Sequence, residues 1–134
     1  MADSDDSATS PSGGAGPAPG AGRALLDLIG LAARARGLVH GTDATRRGVR
    51  DGEVRGVILA ADASPTQRQK LVPLLDARGV RHATCLSRER IGAALGRDET
   101  SAIGFTNENF ARRALELAAA LGVRPDGPDA GPQD

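Results

Sequence analysis

Residues 54–60, Val54-Arg55-Gly56-Val57-Ile58-Leu59-Ala60, constrain the fold of this chain more than any other stretch. The run from Val57 onward is continuously apolar rather than alternating, which is the pattern of a strand buried on both faces. Such a strand asks for a layered fold in which other elements cover it above and below.

The flanking sequence supplies those elements. Leu25, Leu28, Ile29 and Ala32 recur at helical spacing, predicting a helix over residues 23–35 that Gly37 ends. Leu38-Val39-His40 is a very short strand candidate, and a second helix runs from Thr42 or Asp43 to Arg50 before Asp51-Gly52 turns the chain. Ser64-Pro65-Thr66-Gln67 reads as an N-cap, a proline at the first helical position and a capping-box partner. The helix that follows runs toward Arg78, but Pro73 removes the bond to the Gln69 carbonyl and predicts a kink or an early end. Residues 80–86 form a third apolar segment, a strand, and Ser87 caps a helix over 88–95 that Gly96 closes. A last strand spans 101–106. A last helix spans 107–121, with Phe110, Ala114, Leu117 and Leu121 on one face. Helices alternating with about four short strands imply an α/β layered sandwich, just large enough for one core.

Residues 1–22 contain Ala, Gly, Ser, Pro and Asp, with no large apolar side chain beyond Met1. Such a segment buries too little surface to offset its ordering, so it is expected to be disordered, and residues 123–134 read the same way. One domain over residues 23–122 is therefore expected between two acidic tails. The net charge of zero is unevenly spread: −3 in residues 1–22, −2 in 123–134, and +5 between them, from sixteen basic and eleven acidic side chains. That balance favours an anionic partner without identifying it.

Cys85 is the only cysteine, which excludes an internal disulfide or a cysteine metal cluster; in its apolar run it reads as a buried, inert thiol. No apolar stretch approaches the roughly 20 residues that cross a bilayer, and the N-terminus lacks a signal-peptide pattern, so the expectation is a cytoplasmic protein with no membrane partner. His40 and His82 have no Asp, Glu or Cys at ligand spacing, and no phosphate-cradling glycine motif is present. Hence no catalytic, cofactor-binding or metal-binding residue is expected. Phe105 and Phe110 are the only aromatics, both at core positions, which removes base stacking as a device for holding unstructured strands. RNA recognition by such a chain has to use shape, phosphates and groove edges.

The candidate binding residues cluster around a Gly41-Thr42 turn. It opens a short helix carrying Arg46, Arg47 and Arg50, and a helix N-terminus presents unpaired N–H groups and partial positive charge that suit phosphate. Arginines one turn further add charge-assisted contacts, and Arg34 and Arg36 before the turn extend the patch. The competing reading is a solvated helix face, with Asp43 and Arg47 as a simple i,i+4 pair worth about 0.2–0.5 kcal/mol. Gly41 also reads as an ordinary loop glycine with positive φ.

Three segments carry a resemblance to a known family: Leu31-Ala32-Ala33-Arg34-Ala35-Arg36-Gly37-Leu38-Val39-His40-Gly41, Leu59-Ala60-Ala61-Asp62-Ala63-Ser64, and Ser87-Arg88-Glu89-Arg90-Ile91-Gly92-Ala93-Ala94-Leu95-Gly96. In order and at matching separations, they resemble the kink-turn RNA-binding ribosomal-protein superfamily of the "L-seven-Ae" type, and its bacterial YlxQ-like branch in particular. The resemblance covers roughly residues 23–121. It implies a three-layer α-β-α sandwich with a mixed four-stranded sheet, and a glycine-led turn and helix that enter the groove of a sharply bent RNA beside sheared G·A pairs. By this resemblance Gly41 is the close-approach glycine, Thr42 the next backbone-contact position and Arg47 the basic residue one turn along. Leu86, Ser87 and Arg88 match the loop that packs over the flipped bulge nucleotide. Asp43 and Ala44 depart from the Asn and Glu that archaeal and eukaryotic members carry. An ionised Asp43 accepts but cannot donate at a guanine edge, and Ala44 lacks the acceptor that Glu supplies.

The expected role is thus non-enzymatic binding of structured RNA, a kink-turn or ribosomal RNA, with the ribosome as a partner and no DNA. The alternative is a protein-interaction module on the same fold, its RNA contacts weakened or lost. An RNA-modifying enzyme would need a second, cofactor-holding domain, for which this sequence has no room.

Overall fold

The computed structural model describes residues 20–121. In chain order the elements are α1 (Ala21–Arg34), β1 (Leu38–His40), α2 (Thr42–Arg50), β2 (Gly56–Leu59), α3 (Pro65–Arg78), β3 (His82–Thr84), α4 (Arg88–Leu95), β4 (Ala102–Phe105) and α5 (Glu108–Ala120). The strands form one sheet in the order β1-β4-β2-β3, with β4 antiparallel to β1 and β2, and β2 parallel to β3. All four residues of β2 and of β4 are buried, as the unbroken apolar run of β2 requires.

Successive side chains on a strand point to opposite faces, and two cores result. Ile58 and Ile103 lie in one core with Leu25 and Ile29 of α1, Ile91 of α4 and Ala114 of α5. Val57 and Leu59 lie in the other with Val49 of α2 and Leu71 and Leu75 of α3. The expected three-layer α-β-α sandwich with a mixed four-stranded sheet is what forms. The tails expected to be disordered fall outside the described residues, except for residues 20–22: Gly20 is the N-cap of α1 and residues 21 and 22 belong to it, so the helix starts two residues earlier than its periodicity suggested.

Three local expectations are corrected. First, α3 is continuous through Pro73. Gln69 and Pro73 are both exposed, so the carbonyl deprived of its donor lies on the solvent side, and the neighbouring Lys70 carbonyl accepts from Arg46 Nε at 3.2 Å. Second, Ser64 caps α3 by accepting from the Gln67 N–H at 3.2 Å, but the Gln67 side chain does not close a capping box. It accepts instead from the Ser101 hydroxyl at 2.5 Å, joining α3 to the approach of β4. Third, α1 ends in a Schellman motif whose left-handed residue is Arg36 (φ 60), not Gly37. The Arg36 and Gly37 amides donate to the Ala33 and Ala32 carbonyls at 3.1 and 2.7 Å. Gly37 is required for another reason: a Cβ there would lie 2.6 Å from the Phe110 ring.

The strands are also shorter than their apolar runs, because only the residues with partners on the neighbouring strand join the ladder. Flanking pairing persists, for example from the Arg55 N–H to the Phe105 carbonyl at 2.7 Å. Among the described residues, no helix is long and apolar enough to cross a membrane.

Candidate nucleic-acid interface

The loops at one end of the sheet are tied side by side by backbone hydrogen bonds. The Gly41 N–H donates to the Ala102 carbonyl, the Ala60 N–H to the Ser101 carbonyl and the Ala61 N–H to the Leu86 carbonyl, each at 2.8 Å. Gly41 and Leu86 therefore sit on the same edge at the two sides of a four-stranded sheet, about 14 Å apart from three strand spacings. Helices α2, α3 and α4 all begin at this end, so three positive helix poles gather there.

The three poles are not equivalent. Ser64 and Ser87 cap α3 and α4, the latter by accepting from the Arg90 N–H at 3.1 Å. Helix α2 begins at Gly41 with no side-chain cap, leaving the first-turn amides of Thr42, Asp43 and Ala44 without intrahelical acceptors. Thr42 Oγ1 and the fully buried Thr45 Oγ1 have no hydrogen-bond partner among the described residues. Gly41 itself has φ 95 and ψ 152, a conformation nearly confined to glycine, and among the described residues nothing lies within 4 Å of where a Cβ would stand. Both readings of Gly41 hold together: its backbone needs glycine, and its outer surface is open to close approach.

Across the edge, Leu86 is half-buried against the core of α1, α4 and α5 and adopts φ 66. A left-handed backbone at a leucine costs on the order of 1 kcal/mol or more, and such strain gathers at binding sites. Arg88 is less available than its sequence position suggested. Its N–H donates to Asp62 Oδ1 at 2.8 Å, its Nε lies 3.6 Å from Asp62 Oδ2 and its guanidinium lies 3.7 Å from Glu99 Oε1. Two carboxylates thus offset its charge. The Arg88 N–H holds the Asp62 carboxyl below its ordinary value of 3.8, against an opposing loss of hydration, with smaller help from the Asp62 N–H and the Arg88 guanidinium. A carboxylate depressed in the fold stabilises the fold above its unfolded pKa, and that contribution is lost as pH falls through the folded value. Urea midpoints recorded from pH 6 down to roughly pH 2 should therefore show a stability loss below about 3.8 that Asp62→Asn lacks; identical acid slopes in both proteins would refute it.

The arginines separate into groups. Asp43, Arg47 and Arg50 form one exposed stripe at i, i+4 and i+7 along α2. Asp43 and Arg47 form no ion pair with each other, and Arg47 stays unpaired among the described residues. Arg46 turns away toward α3, where it holds the Lys70 carbonyl. Arg50 lies at the far end of α2, where its carbonyl accepts from Arg78 at 3.1 Å. Arg34 and Arg36 lie beyond the opposite end of β1 from Gly41, and the Arg34 guanidinium folds over Gly30 beside α4. The structure therefore brings Gly41, Thr42, Asp43, Arg47, Leu86, Ser87 and Arg88 to one edge, and does not bring Arg34, Arg36 or Arg50 there. Asp62 and Glu99, which tether Arg88, carry no spacing signal, because the Asp62 contact spans 26 residues.

Comparison with known proteins agrees with this architecture. The chain is 28% identical over 96 residues to RNA-binding protein YlxQ of Bacillus subtilis (strain 168), covering 72% of this chain and 96% of that one. A Bacillus halodurans C protein of unknown function superposes with a TM-score of 0.68 at 33% identity, over 71% of this chain and 96% of the other. The Giardia lamblia 15.5kD RNA binding protein shares the fold at a TM-score of 0.63 and 20% identity, over 81% and 92% of the two chains. The family model that matches, over residues 23–115, places this chain in the ribosomal protein L7Ae/L30e/S12e/Gadd45 family, to which it belongs.

Proposed function

We propose that this chain binds structured RNA through the sheet edge that joins the Gly41 turn to the Leu86–Arg88 loop. The uncapped first turn of α2, opened by a glycine with nothing over its outer face, carries the reading. Backbone amides there suit phosphate or a groove edge, and the unpaired Arg47 adds a cation one turn along. The YlxQ relationship supports RNA as the ligand class. A kink-turn-like bend is the RNA shape this edge fits: the turn enters the groove, while Leu86, already held in a strained conformation, covers a displaced nucleotide. The role is non-enzymatic, cytoplasmic and ribosome-associated. A protein-docking alternative is favoured by one observation, the Asp43 carboxylate standing in the first turn where phosphate would approach.

Fluorescence-anisotropy titration of a kink-turn RNA beside a straight duplex of equal length, across a salt series, separates the two readings. The expected result is a kink-turn preference that persists as salt rises. Arg47→Ala should weaken binding to both RNAs and lower the salt slope by about one. Equal, steeply salt-sensitive binding would reduce the edge to a phosphate-attracting patch, and no binding would favour the protein-docking alternative.

A further inference from the structure

A second surface lies on α1 and α4, away from the Gly41 turn. Here the two helices diverge into a cleft of about 500 Å³ whose floor is Leu26, Ala93 and Ala94 and whose rim carries Arg23, Arg34 and Arg90. Gly30 lets the helices approach at its base, where a Cβ would meet the Ala94 carbonyl at 3.2 Å. Among the described residues Asp27 is the one carboxylate lining the cleft, and it is engaged by Arg23 at 3.6 Å. Beside the cleft, one turn from both Asp27 and Arg34, stands Leu31. It is 48% exposed, the one large apolar side chain so exposed among the described residues.

We propose that this cleft docks an acidic amphipathic helix of a protein partner. The apolar floor asks for large apolar side chains at helical spacing, and the three arginines ask for carboxylates flanking them. From Arg23 to Arg34 the wall of α1 extends about 16 Å, the length of a three-turn ligand helix. An RNA backbone would engage the arginines alone and leave the apolar floor of Leu26, Ala93 and Ala94 uncovered, so nucleic acid fits the surface poorly. The acidic ends of this chain also fit poorly: residues 1–19 and 122–134 supply carboxylates, but their only large apolar residues are Met1 and Val123. Charge complementarity and floor chemistry together therefore select an external polypeptide.

The full chain should be titrated with a fluorescein-labelled synthetic helix of roughly four turns, with Leu at i, i+3, i+4 and i+7 and Glu on the flanks. A scrambled peptide of the same composition and a Glu→Gln version serve as comparisons. The expected result is binding of the patterned acidic peptide that falls at least roughly tenfold for the scrambled and Glu→Gln versions. Arg90→Glu and Ala93→Glu should cause a similar loss while binding structured RNA as wild type does, and Leu31→Ser, across Asp27 and Arg34 from the cleft, should leave both unchanged. All three positions face solvent or line the open cleft, so the variants are expected to fold, as circular dichroism would verify. Equal binding of patterned and scrambled peptides would overturn the proposal. So would a loss of RNA affinity in Arg90→Glu, which would make the cleft part of an RNA surface. Self-association of wild type that Ala93→Glu abolishes would instead assign the cleft to a second copy of the chain.

Discussion

Gly92→Ala is expected to destabilise the fold by about 3 kcal/mol, the upper end of what over-packing costs. A Cβ at this position of α4 would overlap the Asp98 carbonyl oxygen and lie 2.6 Å from its carbonyl carbon. Those atoms are backbone, so no side-chain rotation relieves the overlap. The segment that carries them is held in place. The Arg97 N–H donates to the Gly92 carbonyl at 2.8 Å, and the Thr100 N–H donates to the Arg88 carbonyl at 3.0 Å. Any shift of residues 97–100 therefore pulls on Arg88 and on the loop that follows Leu86. Gly22→Ala is the matched control. Its Cβ would meet only Leu121 Cδ2 at 3.6 Å, an ordinary contact, so helix propensity should leave stability unchanged or raise it by about 0.5–1 kcal/mol. Urea denaturation of both variants decides the matter. A Gly92→Ala protein as stable as Gly22→Ala would mean that residues 97–100 are not anchored to α4 as the structure has them.

The second large effect concerns binding. At φ 95 and ψ 152, any side chain at Gly41 strains the backbone by about 1–3 kcal/mol, although nothing stands in its way. Gly41→Ala and Gly41→Glu should therefore lose similar stability. The carboxylate of Gly41→Glu additionally stands at the uncapped pole of α2 and repels phosphate there. Its affinity for structured RNA should be at least roughly tenfold below that of Gly41→Ala. Comparing two equally strained proteins removes the folding defect from the reading. Equal affinities would mean that the turn does not face RNA.

Much of the architecture was legible before any coordinates. The both-sides-apolar run of β2, the caps Ser64 and Ser87, and the Gly96 stop are local signals acting over one or two turns. Ser87, for instance, caps α4 by accepting from the Arg90 amide at 3.1 Å, whereas Asn107, read as the first residue of the last helix, is the cap of α5. The Gly41 turn was legible for the same reason, since an unfavourable backbone angle at a helix start selects glycine locally.

The fates of the arginines were not legible. Arg34, Arg36, Arg46, Arg47, Arg50 and Arg88 look alike in a sequence of alternating basic and apolar residues. In the fold, Arg46 is held by the Lys70 carbonyl of α3, 24 residues away, and Arg88 is offset by two carboxylates from separate loops. Arg36 takes up the left-handed turn because Phe110 already claims Gly37. Sequence by itself thus determined the elements, their order, the serine caps of α3 and α4 and the glycine turn, because those follow from bonds within a few residues. Tertiary structure alone decided which cations remain free, how α3 carries Pro73 and where α1 and α4 leave a cleft. A long side chain's partner is whichever distant backbone or carboxylate the packed sheet and helices bring within reach.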